Sequence, residues 1–288
     1  MTWRPAAQTL LLAALGLGAA CGRGGRPDAP ADNPRLAPDD PERTRVMTFW
    51  ARYRTATDLR IAGTWAAAAD AYASALELDP NHGDALYYLG AMRLALGDYP
   101  GAEQAWRRLI EVEPPSARGH SQLGGLFLCL DEGAPFQLDS AEAHFHRAHE
   151  INREETGALL RLGEAALVRG DPGSARTYFR QVLGSHQASA AAHFYGGYLA
   201  WKDGDAAGAA AAYQAATDAA APVAAPASAP AGEGDTRAGR PMTAHRARCD
   251  QLQRLMDEMD AAPGMAERYA RLDRLLREAS RRGASDRR

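Results

Sequence analysis

Four histidines crowd one part of this 288-residue chain, His120 followed by His144, His146 and His149, while three cysteines stand far apart at Cys21, Cys129 and Cys249. Metal ligation needs several such side chains converging on one point. His146 and His149 fall on neighbouring faces of a helix with no third ligand at a recognised spacing, so a polar helix surface is the simpler reading and no metal site is expected. There is no Cys-x-x-Cys pair for zinc or redox work. Cys129 and Cys249 can pair in an oxidising compartment, yet solitary cysteines more often stay apart, and their proximity is not legible from the sequence. The chain has no P-loop, nucleophile elbow, HExxH helix or haem-attachment motif. Gly124-Gly125 and Gly196-Gly197 fall where helix packing needs small residues. No catalytic residue and no cofactor is therefore expected.

Cys21 has a different setting. Met1 to Ala20 carries Arg4, an apolar run from Thr9 through Leu17, and the small residues Gly18, Ala19 and Ala20. Residues 1–20 thus read as a secretory signal, since a run of about a dozen apolar residues falls short of the ~20 that span a bilayer. Leu17-Gly18-Ala19-Ala20-Cys21 resembles a bacterial lipoprotein processing site, which implies lipidation of Cys21. Its leucine stands one place further from the cysteine than the family usually has it. Ordinary cleavage after Ala20, leaving Cys21 as a free thiol, is the alternative. Residues 21–42 are rich in Gly, Pro and Asp and are expected to be a flexible tether. By the sorting rule of the lipoproteins it resembles, Gly22 in place of Asp favours the outer membrane, so the expected location is the periplasmic side of a cell envelope.

The elements behind these residues must be helices. Alanine makes up about one residue in five, isoleucine, valine and threonine are sparse, and 46% of residues are hydrophobic, which favours an all-α fold with a sizeable core. A net charge of −3 gives no basic field, and no nucleic-acid partner is expected.

One pattern returns across residues 49–217. Tyr72, Trp106, Phe145, Phe179 and Tyr213 recur at intervals of 34, 39, 34 and 34 residues, each four positions after an alanine: Ala68, Ala102, Ala141, Ala175 and Ala209. Ala75, Leu109, Ala148, Val182 and Ala216 follow three positions later, so each trio shares a helix face. Sixteen positions before Tyr72, Trp106, Phe179 and Tyr213, and 21 before Phe145, stands a small residue, Ala56, Gly90, Gly163, Gly197 and Gly124 respectively, and turn glycines Gly63, Gly97, Gly170 and Gly204 lie between. By this register Ala102 sits at a helix crossing and Ala105 is expected off that face. Asp79-Pro80 and Glu113-Pro114 close the second helix of the first two repeats.

The pattern resembles the tetratricopeptide repeat, most completely in Leu86-Tyr-Tyr-Leu-Gly-Ala and Leu159-Leu-Arg-Leu-Gly-Glu. Repeat three departs from it with about five extra residues in its turn, within 131–140. The resemblance implies a right-handed helical solenoid of about five repeats over residues 43–220, since each helical pair buries its apolar face only by stacking on neighbours. It implies a concave groove lined by the first helices, presenting Trp50, Tyr53, Tyr87, Leu94, Arg118, Leu160, Glu164, Phe194, Tyr198, Trp201 and Lys202. The carboxylate clamp of lysines and asparagines found in some members is absent, Lys202 being the only lysine. Aromatics at both ends with aliphatics between suit a protein or peptide partner bearing an apolar or amphipathic segment. Phe194, Tyr198 and Trp201 read equally well as core residues under a C-terminal cover.

Residues 221–241 form an Ala/Pro-rich linker, and residues 242–283 read as a pair of amphipathic helices. Leu252, Met256, Leu272 and Leu276 lie on one side, with Arg254, Arg268, Arg271 and Arg274 largely on others. This pair is expected to cap the alanine-rich last repeat, with the groove as the other allowed destination. The reading is a non-enzymatic scaffold, or else an accessory or maturation factor that holds a client for a separate enzyme.

Overall fold

The computed structural model describes residues 40–220, 249, 252 and 264–285. The leader, Cys21, the linker 221–241 and Arg254, Met256 and Met259 lie outside the described residues. The chain divides after Arg43, and its second unit, Thr44–Arg288, holds the repeats. Eleven helices occur among the described residues: α1 (Pro41–Ile61), α2 (Trp65–Leu76), α3 (Gly83–Leu96), α4 (Tyr99–Val112), α5 (Ala117–Phe127), α6 (Leu138–Ile151), α7 (Gly157–Arg169), α8 (Pro172–Ser185), α9 (Ala190–Lys202), α10 (Ala206–Ala220) and α11 (Met265–Ser285). Pro41 and Glu42, expected in the tether, already belong to α1.

The helices pair in sequence order, and α2, α4, α6 and α8 pack on the first helix of the next repeat as well as that of their own, whereas among the first helices α10 packs on α9 alone. Repeats two, four and five share a local device at the turn. Gly97, Gly170 and Gly204 take left-handed φ of 81°, 79° and 81°, a conformation open to glycine at no steric cost. The aspartate that follows caps the second helix: Asp98 accepts from Gly101 N at 2.9 Å, Asp171 from Ser174 N at 3.0 Å and Asp205 from Gly208 N at 2.8 Å. Repeat three replaces this turn with residues 128–137. Gln137 N donates to Phe127 O at 2.8 Å, and Ala134 and Phe136 fill the bulge as core residues.

The repeated aromatics hold the stack. Tyr72, Trp106, Phe145 and Phe179 are at most 2% exposed, and all five recurring alanines are fully buried. Trp106, Phe145 and Phe179 each press on the small residue of their own first helix. A Cβ on Gly90 would lie 2.4 Å from Trp106, one on Gly124 2.6 Å from Phe145 and one on Gly163 2.3 Å from Phe179. Tyr213 is only half-buried. The place beside Gly197 is taken instead by Tyr269 of α11.

Two expectations are corrected by this packing. Ala105 is 3% exposed: it faces the neighbouring helix α3, one turn around from Ala102, so a comparison between these two alanines has no exposed member. Ala210 is exposed and serves instead. Ala102→Leu should destabilise the protein by about 1–3 kcal/mol through overpacking, while Ala210→Leu should stay within about 0.5 kcal/mol of wild type. Urea unfolding followed by circular dichroism measures both, and equal losses would mean the packing face is misplaced. The second correction concerns the expected cap. Ala206, Ala207, Ala210 and Ala211 of α10 remain exposed, and α11 lies instead across the first helices. Arg268, expected on an outer face, is 1% exposed.

Candidate protein-binding face

The first helices α1, α3, α5, α7 and α9 carry the eleven groove positions, and the structure sorts most of them into two clusters. The open one lies on α1 and α3. Trp50 is 47% exposed, its ring 5.6 Å from Tyr53 and 5.4 Å from His82. Tyr53 meets Tyr72 at 5.6 Å, Tyr72 stacks on Tyr88 at 5.7 Å, and Tyr88 meets Tyr87 edge-on at 5.2 Å. Arg118 of α5 holds its guanidinium 5.2 Å from the Tyr87 ring centre, with Asp84 and Glu113 as its ionic partners. Burial, reinforced by the negative charge of Asp84, pushes the Tyr53 phenol up to about 12. Leu94 is half-buried beside it, packed on the core.

The second cluster is filled. Phe194, Tyr198 and Trp201 surround the Tyr269 ring at centroid distances of 5.3, 6.1 and 6.2 Å. One helical turn on, Asp273 accepts from the Tyr198 hydroxyl at 2.9 Å and from Lys202 Nζ at 2.8 Å. Burial alone would raise the Asp273 carboxyl, but hydrogen bonds from Lys202, Tyr198 and Arg277 outweigh it and hold it down at about 2. At the far end of α11, Arg282 donates to the carbonyls of Leu130, Asp131 and Ala134 at 3.2, 3.2 and 3.0 Å. The helix therefore runs from repeat five past α7 to the repeat-three turn.

Glu164 belongs to neither cluster. It is fully buried, accepting from the Tyr195 hydroxyl and from Arg161 Nη1, both at 2.8 Å. Its expected place in the groove is corrected: the carboxylate ties repeat four to repeat five. Leu160 is half-buried on the same helix and packs on the core.

Cys129 and Cys249 are joined in a disulfide, against the expectation that they stay apart. Asp131 secures the junction, its Oδ2 accepting from Cys249 N at 3.1 Å and from the Tyr99 hydroxyl at 3.3 Å. Of the histidines, His120 and His144 bond directly, Nδ1 to Nδ1 at 2.9 Å, while His146 packs near Tyr178 with centroids 6.3 Å apart. Burial, then the neighbouring His120 and Arg107, lower His144 to about 4. A histidine held below its ordinary 6.5 contributes stability that is complete above that value and is lost as pH falls towards 4. Because the two rings are coupled and part-exposed, His144→Gln should remove only about 1–2 kcal/mol of the stability lost between pH 7 and pH 4.5. Urea midpoints at the two pH values read it directly, and an unchanged difference would refute the assignment.

Residues 59–123 and 160–225 each match a family model described as tetratricopeptide repeat. The chain carries tetratricopeptide repeats. A curated relative, the tetratricopeptide repeat and J domain-containing co-chaperone DNJ1 of Cryptococcus neoformans var. grubii, is 31% identical over 114 residues, which is 39% of this chain and 22% of that protein. The match thus spans about a fifth of the relative's length. Among solved structures, Pseudomonas aeruginosa PilF superposes with a TM-score of 0.54 at 19% identity, covering 62% of this chain and 79% of its own. PilW, described as a type IV pilus biogenesis factor, does so with a TM-score of 0.53 at 16% identity, over 60% of this chain and 77% of its own. These likenesses show an all-α tetratricopeptide-like solenoid. Sequence reasoning placed the repeats' first-helix face and allowed a C-terminal cover over Phe194, Tyr198 and Trp201, but favoured the end of the stack, because Tyr269 and Asp273 lie outside the repeats and no spacing relates them to Phe194 or Lys202.

Proposed function

We propose that this chain is an exported scaffold, lipid-anchored through Cys21 in a bacterial cell envelope, that binds a partner protein's apolar or amphipathic segment on repeats one and two. The observation carrying this reading is the open aromatic surface of α1 and α3. Trp50, 47% exposed, stands beside Tyr53 and His82, and Val46 and Met47 of the same helix are 42% and 61% exposed, whereas the equivalent aromatics of repeat five are covered. Contiguous exposed apolar surface of this kind marks interaction sites. The disulfide supports export, since such bonds persist in oxidising compartments. PilF and PilW share the fold, and PilW acts in type IV pilus biogenesis, a likeness that agrees with a scaffold role. No helix among the described residues is long and apolar enough to cross a membrane.

The test has two arms. Cys21→Ser should move the protein from the membrane to the soluble fraction, because more than one acyl chain is needed for stable anchoring; a wild type that is already soluble after signal removal would refute the anchor. Trp50→Ala with Tyr53→Ala should weaken capture of amphipathic helical peptides from a displayed library by at least about tenfold. Unchanged capture would refute this face as the site.

A further inference from the structure

The face of repeats three to five has a ligand already in place, and it belongs to the same chain. Tyr269, Leu272, Asp273 and Leu276 of α11 present the pattern by which an amphipathic helix enters a groove, with anchors at i, i+3, i+4 and i+7. Tyr269, Leu272 and Leu276 are buried, and Asp273 meets Tyr198 and Lys202. The positions that the repeat architecture reserves for a partner are thus taken by a helix of the right form.

The occupant fits imperfectly at two points. The Tyr269 hydroxyl is buried with no hydrogen-bond partner among the described residues, a defect that works against docking because burying an unpaired hydroxyl is unfavourable. Beside the helix lies a cavity of about 520 Å³ lined in part by Leu167, Leu199, Asp273, Leu276 and Arg277. A helix that fills the cavity and leaves no hydroxyl stranded would bind the face better than α11 does.

A covalent bond offsets the poor fit. Cys249 lies sixteen residues before Met265 and is bonded to Cys129 just beyond α5. Without that bond, α11 is joined to the repeats only through the 44 residues that follow Ala220. The shorter connection raises the effective concentration of the helix at its site. The bond also keeps Leu252, 4% exposed, beside Gly125, Leu128 and Arg161, so it covers part of the repeat-three and repeat-four face directly.

We propose that α11 is a disulfide-latched internal ligand, and that reduction of Cys129–Cys249 by a protein or small-molecule dithiol opens repeats three to five to an amphipathic helix of a partner. This rests on reading the repeats as a helix-binding scaffold. A thiolate of the dithiol attacks the half-buried Cys249 sulfur, forming a mixed disulfide and releasing Cys129 as a thiolate. The second thiol of the dithiol then displaces Cys249. Cys129 and Cys249 end as two thiols, taking up the two protons the dithiol loses, and the dithiol ends as its disulfide.

The probe is a fluorescent synthetic peptide of residues 264–285, offered to the full chain with and without dithiothreitol. The reduced protein should bind it at least about tenfold more tightly than the oxidised protein. A Cys129→Ala/Cys249→Ala chain should bind tightly in both conditions. Hydrogen exchange of the unsubstituted chain provides a reading that needs no variant, with α11 amides expected to lose at least about tenfold protection on reduction. Equal affinity and equal protection in the two states would overturn the latch. Tyr269→Ala/Asp273→Ala, which weakens the internal helix, separates the two failures. Where the unsubstituted chain shows no redox difference, tight peptide binding by that variant leaves the helix-binding face intact and places the failure in the latch, whereas no binding by it in either state would refute the face itself.

Discussion

Trp106→Ala is expected to cost about 3–5 kcal/mol of unfolding free energy, towards the upper end of what a buried tryptophan gives. The side chain is fully buried, and its indole N–H donates to the Tyr87 carbonyl at 3.2 Å. The magnitude depends on how far the site can collapse, and here it collapses poorly. The wall opposite the indole is Gly90, which has no side chain to move into the void, and the helices on either side are held by their own repeats. Tyr213→Ala, at the same register position in repeat five, should cost clearly less because Tyr213 is only half-buried. Urea unfolding of the two variants tests the comparison. Similar losses would show that the aromatic register does not set the packing of the stack.

That register was legible because it is a local property. An aromatic, an alanine four residues earlier and a small residue on the first helix are all fixed by contacts within one helical pair, and the spacing repeats in five pairs except that the insertion in repeat three lengthens the interval from Gly124 to Phe145 from 16 to 21 residues. The turn signal is also legible in Gly97-Asp98, Gly170-Asp171 and Gly204-Asp205, where the glycine marks the turn and the aspartate after it caps the next helix. What lay outside the repeats was not legible. Cys129 and Cys249 are 120 residues apart, and only the path of the stack and the return of the C-terminal segment bring them together. The destination of α11 was ambiguous for a related reason: Leu272 and Leu276 suit any apolar surface, whereas the contacts that choose the face are polar ones, Asp273 to Lys202 and Arg282 to three carbonyls, whose partners lie 71 to 152 residues away. Arg268 misled for a simpler reason. An arginine on an amphipathic helix normally marks the solvent side, and this one is buried with its neighbour Tyr269.

Glu164 shows how a position can be placed correctly in a repeat and still be given the wrong role. Its register is that of a groove residue, and a carboxylate there reads as a ligand contact. The residue that decides otherwise is Tyr195, one repeat further on and fully buried, whose hydroxyl donates to Glu164 at 2.8 Å. Glu164→Ala is therefore expected to destabilise the protein by about 3–5 kcal/mol, since it removes the acceptor facing a buried hydroxyl and the anion facing Arg161. Glu164→Gln keeps the shape and an acceptor for Tyr195 but weakens the pair with Arg161, and should cost about 1–3 kcal/mol. In a Tyr195→Phe background the loss from Glu164→Ala should shrink by about 1–2 kcal/mol, because the hydroxyl that needed the carboxylate is gone. Unfolding of the four proteins in urea gives the coupling directly. If instead Glu164→Ala left unfolding unchanged and weakened capture of an amphipathic peptide, the carboxylate would be facing the ligand, and the tie between repeats four and five would have to come from elsewhere.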